Sequence, residues 1–164
     1  MQIKTIIGAA LLAASPLAAY PGGAAGTAQA KPTQSHDEAA VRSVLSQYKA
    51  AIEKLDARGT ERLFAADSAI FETGGREGNY ANYLAHHLAP ELAEFKSFRF
   101  SNYKIEVRFV GPVALATESY AYRIETRKGE VAERLGVATS VLAKVKGGWK
   151  ILSMHNSARR PKAS

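Results

Sequence analysis

From Lys96 onward the chain alternates between long segments rich in β-branched and aromatic residues and short turns. The predicted strands cover residues 96–109, 113–126, 131–146 and 149–157. The turns between them are Gly111-Pro112, Lys128-Gly129 and Gly147-Gly148. A Gly-Gly pair suits a two-residue hairpin because both positions tolerate positive φ. The pattern therefore predicts a long meander in which each strand pairs antiparallel with the next one.

Three helices are predicted before this meander, and the first two follow each other directly. Ser35 and Glu38 form a Ser-x-x-Glu capping box, which satisfies free amides at the start of a helix. The apolar residues at helical spacing after it are Val41, Val44, Leu45, Tyr48, Ile52 and Leu55. Gly59 is a suitable end for this helix. Residues 60–66 predict a second, short helix.

A third helix is predicted to begin after Asn79, a favourable capping residue. Its apolar face is formed by Tyr80, Tyr83, Leu84 and Leu88. Pro90 lacks an amide donor and disfavours helical angles at the residue before it. The helix is therefore predicted to kink or end at Pro90, which leaves His86 and His87 in its last turn.

The order of these elements predicts the fold class. Three helices on the N-terminal side, with a short strand at residues 68–72 between them, precede the meander. This order indicates the α+β class, with a strongly curved, mixed, mainly antiparallel sheet packed against helices. Such a sheet forms a cone that encloses a pocket. The domain is predicted to span residues 35–160, with a tail at residues 161–164.

The first thirty residues have the pattern of a signal peptide. Lys4 gives a short positive region, residues 6–14 form an apolar run, and Ala-Gln-Ala at residues 28–30 is a small-x-small cleavage site. Pro16 cuts the run too short for a membrane-spanning helix, which needs about 20 apolar residues. Cleavage near Ala30 predicts a periplasmic or secreted protein with a flexible leader at residues 31–34 and no stable membrane anchor.

Composition narrows the function classes. The chain has no cysteine, so it can form neither a disulfide nor a lipoprotein anchor. Its 22 basic and 15 acidic residues give a formal net charge of +7, with both signs interleaved along the chain. No basic stripe with interleaved stacking aromatics is present, which argues against nucleic-acid binding. We predict no cofactor.

Two stretches of the chain resemble the nuclear transport factor 2-like superfamily, which includes the ketosteroid-isomerase-like and SnoaL-like proteins. The first, VRSVLSQYKAAIEKLDARGTERLFAADSAIF, combines a long helix, a short helix and a strand. The second, GGWKILSMHNSARR, combines a glycine hairpin, a Trp and a His near the end of the last strand. The resemblance covers residues 35–160 and implies a pocket lined by the concave sheet face and the third helix.

The resemblance also bears on the site residues. It implies that His155 is the polar last-strand position that points into the pocket, with the third helix across the pocket mouth. Ketosteroid isomerases use a Tyr and Asp oxyanion pair with an Asp base, and SnoaL-like cyclases also use an Asp base. No Asp follows Asp67 in this chain, so these residues are not carried over.

Strand alternation provides an independent prediction for the last strand. It groups Trp149, Ile151, Ser153, His155 and Ser157 on one face. His155 between two serines would form polar pocket lining, suited to orienting a ligand or acting as a general base. The alternative is a buried His that is satisfied by one hydrogen bond.

The His pair of the third helix cannot act as a unit. Adjacent helical residues point about 100° apart, so only one of them can face the pocket. His87 shares a face with the apolar residues of the helix and is predicted to point inward, whereas His86 is predicted to be solvated. A metal site formed by His87, Glu91 and His155 is a further alternative, because zinc accepts mixed nitrogen and oxygen ligands.

Glu118 lies inside a predicted strand and shares a face with Tyr120 and Tyr122. Two interpretations stay open at this point. Glu118 is either a paired acid in the pocket or part of a polar outer face, with Arg134 as a possible partner. If it faces the pocket, Glu118 and His155 would form an acid–base pair of differing pKa.

These candidates support three hypotheses on function. The first is an exported domain that binds a small, partly apolar molecule and forms a homodimer through its outer sheet face. The second is a cofactor-independent lyase, isomerase or dehydratase that uses His155 with His87 or Glu118 in acid–base catalysis. The third is a periplasmic metal-binding protein. The predicted ligand-binding residues are Tyr80, Tyr83, Tyr120, Ser153 and Ser157.

Overall fold

The computed structural model describes residues 32–162, in which six strands form one sheet. The strands are β1 (Phe64–Glu72), β2 (Gly75–Gly78), β3 (Phe95–Val110), β4 (Val113–Thr126), β5 (Val131–Val145) and β6 (Gly148–Arg159). Their order across the sheet is β2-β1-β6-β5-β4-β3. β1 and β6 pair parallel, and all other neighbours pair antiparallel. The predicted α+β class with a curved, mainly antiparallel mixed sheet is confirmed.

Helix α1 (Pro32–Glu53) packs its apolar stripe against the sheet, where Val41 and Leu45 are almost fully buried. The predicted helix start at Ser35 is wrong, because the helix already begins at Pro32 and proline is favoured in a first helical turn. The predicted signal peptide lies outside the described residues. Within residues 32–162, no helix is both long enough and apolar enough to cross a membrane.

The second predicted helix is a single 3-10 turn, Thr60–Leu63. Its predicted end at Ala66 is wrong, because Phe64 already begins β1. The ring of Phe64 stacks on that of Tyr80 with centroids 3.6 Å apart. The Tyr80 hydroxyl lies 2.7 Å from Oγ1 of Thr60, so the hydroxyl is paired although Tyr80 is buried. These contacts join the short turn to the third helix.

The third helix continues through Pro90. It consists of α2 (Tyr80–Tyr83), a π-helical turn (Leu84–Leu88) and α3 (Ala89–Glu94). The N–H of Ala89 donates to the carbonyl of Leu84, five residues earlier, so Pro90 lies in the first turn of α3, where its missing N–H is not needed. The prediction that the His pair occupies a last turn is therefore wrong. Both histidines lie within the π-helical turn of a continuous helix.

Strand β6 contains a β-bulge at Leu152. Leu142 of β5 pairs with Ile151, and Val141 pairs with Ser153, so Leu152 has no partner of its own on β5. A bulge of this kind adds one residue to a strand and disturbs the regular alternation of its side chains.

The bulge changes which residues of β6 face the core. Trp149 and Ile151 are buried before it, and Met154 is buried after it, followed by the half-buried Asn156. The regular alternation that groups His155 with Trp149 and Ile151 is therefore wrong. His155 lies exposed on the outer face of the sheet.

Candidate functional site

A cavity of about 300 Å³ lies between the concave face of the sheet and the helices. Its aromatic lining residues are Tyr48, Tyr83, Phe95, Phe98, Phe100, Tyr120 and Tyr122. The volume is at the lower end of the range for ligand sites in proteins. A largely apolar wall rich in aromatic rings suits a small, partly apolar molecule.

The aromatic wall is held together by ring contacts between β3 and β4. Phe98 stacks on Tyr122 with centroids 5.1 Å apart, and Phe100 meets Tyr120 edge-on at 5.0 Å. Tyr120 lies so close to Gly136 of β5 that a Cβ at that glycine would overlap the ring. Aromatic pairs contribute about 0.5–1.5 kcal/mol beyond their area burial. The wall is therefore shaped before any ligand enters.

Glu72, the last residue of β1, supplies a hydrogen-bonded carboxylate to the cavity wall. Its Oε1 accepts hydrogen bonds from the Tyr83 hydroxyl at 2.7 Å and from Nδ2 of Asn156 at 3.2 Å. The parallel pairing of β1 with β6 brings Glu72 directly beside Asn156. Burial raises the pKa of Tyr83, so its hydroxyl keeps the proton that it donates.

His87 contacts this carboxylate and two further glutamates. Its Nε2 lies 3.2 Å from Oε2 of Glu72 and 3.4 Å from Oε1 of Glu91, and its Nδ1 lies 3.2 Å from Oε2 of Glu77. His87 is half-buried and His86 exposed, as helical geometry predicts. His87 does not line the cavity itself. It can therefore influence a bound molecule through Glu72 or Glu91, which do.

A narrower recess of about 30 Å³ continues from the cavity. The two share Tyr48, Ile52, Phe100, Tyr120 and Asn156. Glu118 lines the recess and accepts a hydrogen bond from the Tyr103 hydroxyl. Burial raises the pKa of Glu118, which is only 5% exposed, while the hydrogen bond from Tyr103 partly opposes the rise. Of the two interpretations of Glu118, the inward one is correct and the polar outer face is wrong. The suggested partner Arg134 is also wrong, because Glu118 pairs with Tyr103 and Arg134 donates to the carbonyl of Glu133.

The structure separates His155 from the other predicted catalytic residues. His155 and Ser153 line a groove on the outer sheet face. The predicted juxtaposition of His155 with His87 or Glu118 is therefore wrong, because Glu118 faces the interior and His87 contacts the glutamates beside the cavity. The physical reason is the bulge at Leu152, which sequence periodicity cannot locate.

The predicted ligand-binding tyrosines also divide. Tyr83, Tyr120 and Ser157 line the cavity. Tyr80 is 2% exposed and belongs to the core rather than to the cavity wall. Whether any of these residues binds a ligand stays a prediction.

The alternative metal site is not assembled. His87 and Glu91 are in contact, but His155 lies on the opposite face of the sheet. Within residues 32–162, no group of three His, Cys, Asp or Glu side chains has an arrangement that could hold a metal ion.

Sequence reasoning gave no site role to Glu72, Asn156 or Tyr103. Alternation within β1 offered a signal for Glu72, since it lies two residues after the fully buried Ile70. Tyr103 had a signal of the same kind, because it alternates with Ile105 and Val107, which pack against the core. Asn156 had one as well, because it lies two residues after the apolar Met154, but the bulge concealed which face of β6 is the inner one.

Comparisons with known proteins agree with this architecture. A family model described as SnoaL-like domain matches residues 41–161. A search of the curated proteins found no match. Among the solved structures, a nuclear transport factor 2-like superfamily protein from Salmonella enterica subsp. enterica serovar Typhimurium str. LT2 has a TM-score of 0.69 at 18% identity, with 79% of this chain and 95% of that chain covered.

Two further structures carry provisional enzyme assignments. A provisionally assigned ketosteroid isomerase from Shewanella frigidimarina NCIMB 400 has a TM-score of 0.63 at 26% identity, covering 72% of this chain and 94% of that one. A provisionally assigned scytalone dehydratase from Novosphingobium aromaticivorans DSM 12444 has a TM-score of 0.67 at 16% identity, with 80% and 92% covered. The fold of this chain is thus one that proteins assigned as isomerases and dehydratases also have.

Proposed function

Because the chain belongs to the SnoaL-like domain family, we propose that its cavity binds a small, partly apolar molecule. The observation that carries the proposal is the aromatic cavity with the hydrogen-bonded carboxylate of Glu72 in its wall. An apolar pocket with a few convergent polar groups is the usual form of a small-molecule site. The aromatic rings would hold the apolar body of the molecule, and Glu72 would orient its polar group.

Filling the cavity tests this proposal. Ala158 lines the cavity, so Ala158→Trp would occupy its volume. Saturation-transfer NMR with benzyl alcohol as the probe should show binding to the wild-type chain and a loss of at least about tenfold in affinity for Ala158→Trp. Ala85→Trp, on an exposed position of the third helix, is the matched control and should bind as wild type does.

Circular dichroism and thermal unfolding establish that both Trp variants are folded. Binding that is equal in wild type and in a folded Ala158→Trp variant would contradict a ligand site in this cavity. Failure of the wild-type chain to bind benzyl alcohol and its charged analogues, benzyltrimethylammonium and benzoate, would contradict it as well.

A second candidate function is proton transfer in a lyase, isomerase or dehydratase reaction. The observation that favours it is the contact of Glu72 with Tyr83, Asn156 and His87. A carboxylate whose geometry is fixed by such partners can act as a general base on a molecule in the cavity. Glu118 offers a second carboxyl group in the adjoining recess, with Tyr103 as its hydrogen-bond donor.

The destination of the protein and its assembly are also proposals. Export to the periplasm or medium is supported by the apolar run at residues 6–14 and the small residues at 28–30. A homodimer through the outer sheet face is supported by two apolar side chains of β5 on that face, Leu135 and Val137, which are 37% and 51% exposed.

A further inference from the structure

The charged residues of the cavity are of one sign, although the whole chain is basic. Glu72 and Glu91 line the cavity and Glu118 lines the recess. Among the described residues that line these two spaces, Lys49 is the one Lys or Arg, and its Nζ contacts Glu53 at 2.7 Å. The formal net charge of +7 therefore does not describe the interior, where the uncompensated carboxyl groups lie.

His87 does not balance these carboxyl groups. It is in contact with Glu72, Glu77 and Glu91 at once. Even a protonated imidazole leaves two negative charges on this group when all three glutamates are ionised. Within residues 32–162, Glu118 accepts its hydrogen bond from Tyr103 and forms no ion pair. Burial raises the pKa of both Glu91 and Glu118, a cost to the ionised form that a positive charge in the cavity would offset.

The aromatic wall adds a second, independent feature that favours positive charge. Ring faces attract cations electrostatically, and the attraction grows when the cation is removed from water. The protein already shows this contact once, because Nζ of Lys49 lies 5.2 Å from the ring centroids of Phe100 and of Tyr103. Phe100 also lines the cavity, as do four further rings of β3 and β4.

We propose that the ligand of this cavity is an organic cation, a protonated or quaternary amine attached to a small apolar or aromatic body. The inference rests on the proposed small-molecule site and names the chemical class of its ligand. The cationic group would lie against the aromatic rings within reach of Glu72 or Glu118, and the apolar body would fill the remaining volume. A carboxylate or phosphate ligand would meet like charges in the same position.

Three probes of similar size and different charge test the proposal: benzyltrimethylammonium, benzyl alcohol and benzoate. Each is titrated at one neutral pH into the isotopically labelled full chain, and chemical-shift changes are followed by NMR. Benzyltrimethylammonium should bind about tenfold more tightly than benzyl alcohol, and benzoate should bind most weakly. The shifts should occur at cavity-lining residues such as Tyr120 and Ile124.

Charge-removing variants identify the carboxyl groups responsible. Glu72→Gln and Glu118→Gln should each reduce the preference for the cation over benzyl alcohol several-fold. Glu91→Gln, at a more exposed position, provides a second measurement if either buried change prevents folding. Glu106→Gln on the outer sheet face is the matched control and should leave the preference unchanged.

The outcomes separate this inference from the proposed function. Equal or tighter binding of benzyl alcohol or benzoate at the cavity overturns the cation inference and leaves the small-molecule site intact. A cation preference that is the same in wild type and in all folded Glu→Gln cavity variants also overturns it. Failure of all three probes to shift any cavity residue overturns both.

Discussion

At the scale of single residues, three side chains hold the carboxylate of Glu72 in place in the cavity wall. Tyr83 and Asn156 both donate to Oε1, which leaves Oε2 beside His87. Two hydrogen bonds to one oxygen restrict the rotation of the carboxylate. The proposed proton transfer would therefore use Glu72 as its base.

Replacement of Glu72 tests its role as a base. Exchange of the α-protons of phenylacetone in D2O, followed by proton NMR, reports proton abstraction next to a carbonyl. The wild-type chain should accelerate the exchange, and Glu72→Gln should reduce that acceleration by about 10²-fold, because positioned bases contribute about 10²–10⁴-fold.

Glu130→Gln is the control for this assay, because Glu130 is exposed and lies in the turn between β4 and β5. It should exchange at the wild-type rate. An exchange rate that equals the rate without protein, or an undiminished rate in Glu72→Gln, would rule out this role of Glu72.

At the scale of elements, β4 and β6 show what sequence periodicity can and cannot reveal. β4 pairs with β5 without a shift from Val113 to Glu125, so Glu118, Tyr120 and Tyr122 share the inner face as alternation predicts. β6 carries a bulge at Leu152. Odd-numbered residues face the core before the bulge, and even-numbered residues face it after the bulge. One unpaired residue was enough to reverse the orientation predicted for His155.

The orientation of β6 can be checked by a pair of adjacent substitutions. Met154 is 1% exposed and packs in the core, so Met154→Ala should lower the free energy of unfolding by about 2–5 kcal/mol. His155→Ala, on the exposed outer face, should change it by less than about 0.5 kcal/mol. Urea denaturation measures both, and a larger loss for His155→Ala would mean that regular alternation holds after all.

The helix that carries His87 also departs from what its local sequence predicts. The local effect of proline correctly predicts that a hydrogen bond is missing at Pro90. It does not predict that the helix continues past that residue. The π-helical turn at Leu84–Leu88 absorbs the defect and lets the helix continue. The position of the π-helical turn depends on how the helix packs against the sheet, where Tyr83 and Leu88 are buried. A local sequence pattern does not predict that packing.

At the scale of the whole molecule, the two faces of the sheet differ in character. The inner face carries the core, the cavity and the recess, whereas the outer face combines Leu135 and Val137 with polar residues such as His155 and Thr139. The order and class of the elements could be predicted because strand patterns and turns are local. The site could be predicted only in part, because Glu72 meets Asn156 through a pairing between distant segments.

The proposed homodimer predicts a concentration-dependent association that a charge on the outer face would abolish. Val137 is 51% exposed, and Val137→Lys should convert the dimer to a monomer in sedimentation-velocity experiments without changing thermal stability by more than a few degrees. Ala85→Lys, at an exposed position of the third helix away from the sheet face, is the control and should remain dimeric. A wild-type chain that sediments as a monomer at all concentrations would refute the proposal.

The parallel pairing of β1 with β6 also determines when the site can form. It joins residues 64–72 to residues 151–156, with nearly the whole domain between them. Contacts of such high sequence separation form slowly, because a long loop must close before they are gained. During synthesis, the hydrogen bond from Asn156 to Glu72 can form only after β6 has left the ribosome. The hydrogen-bonded geometry of Glu72 in the cavity wall is thus complete only after β6 has paired with β1.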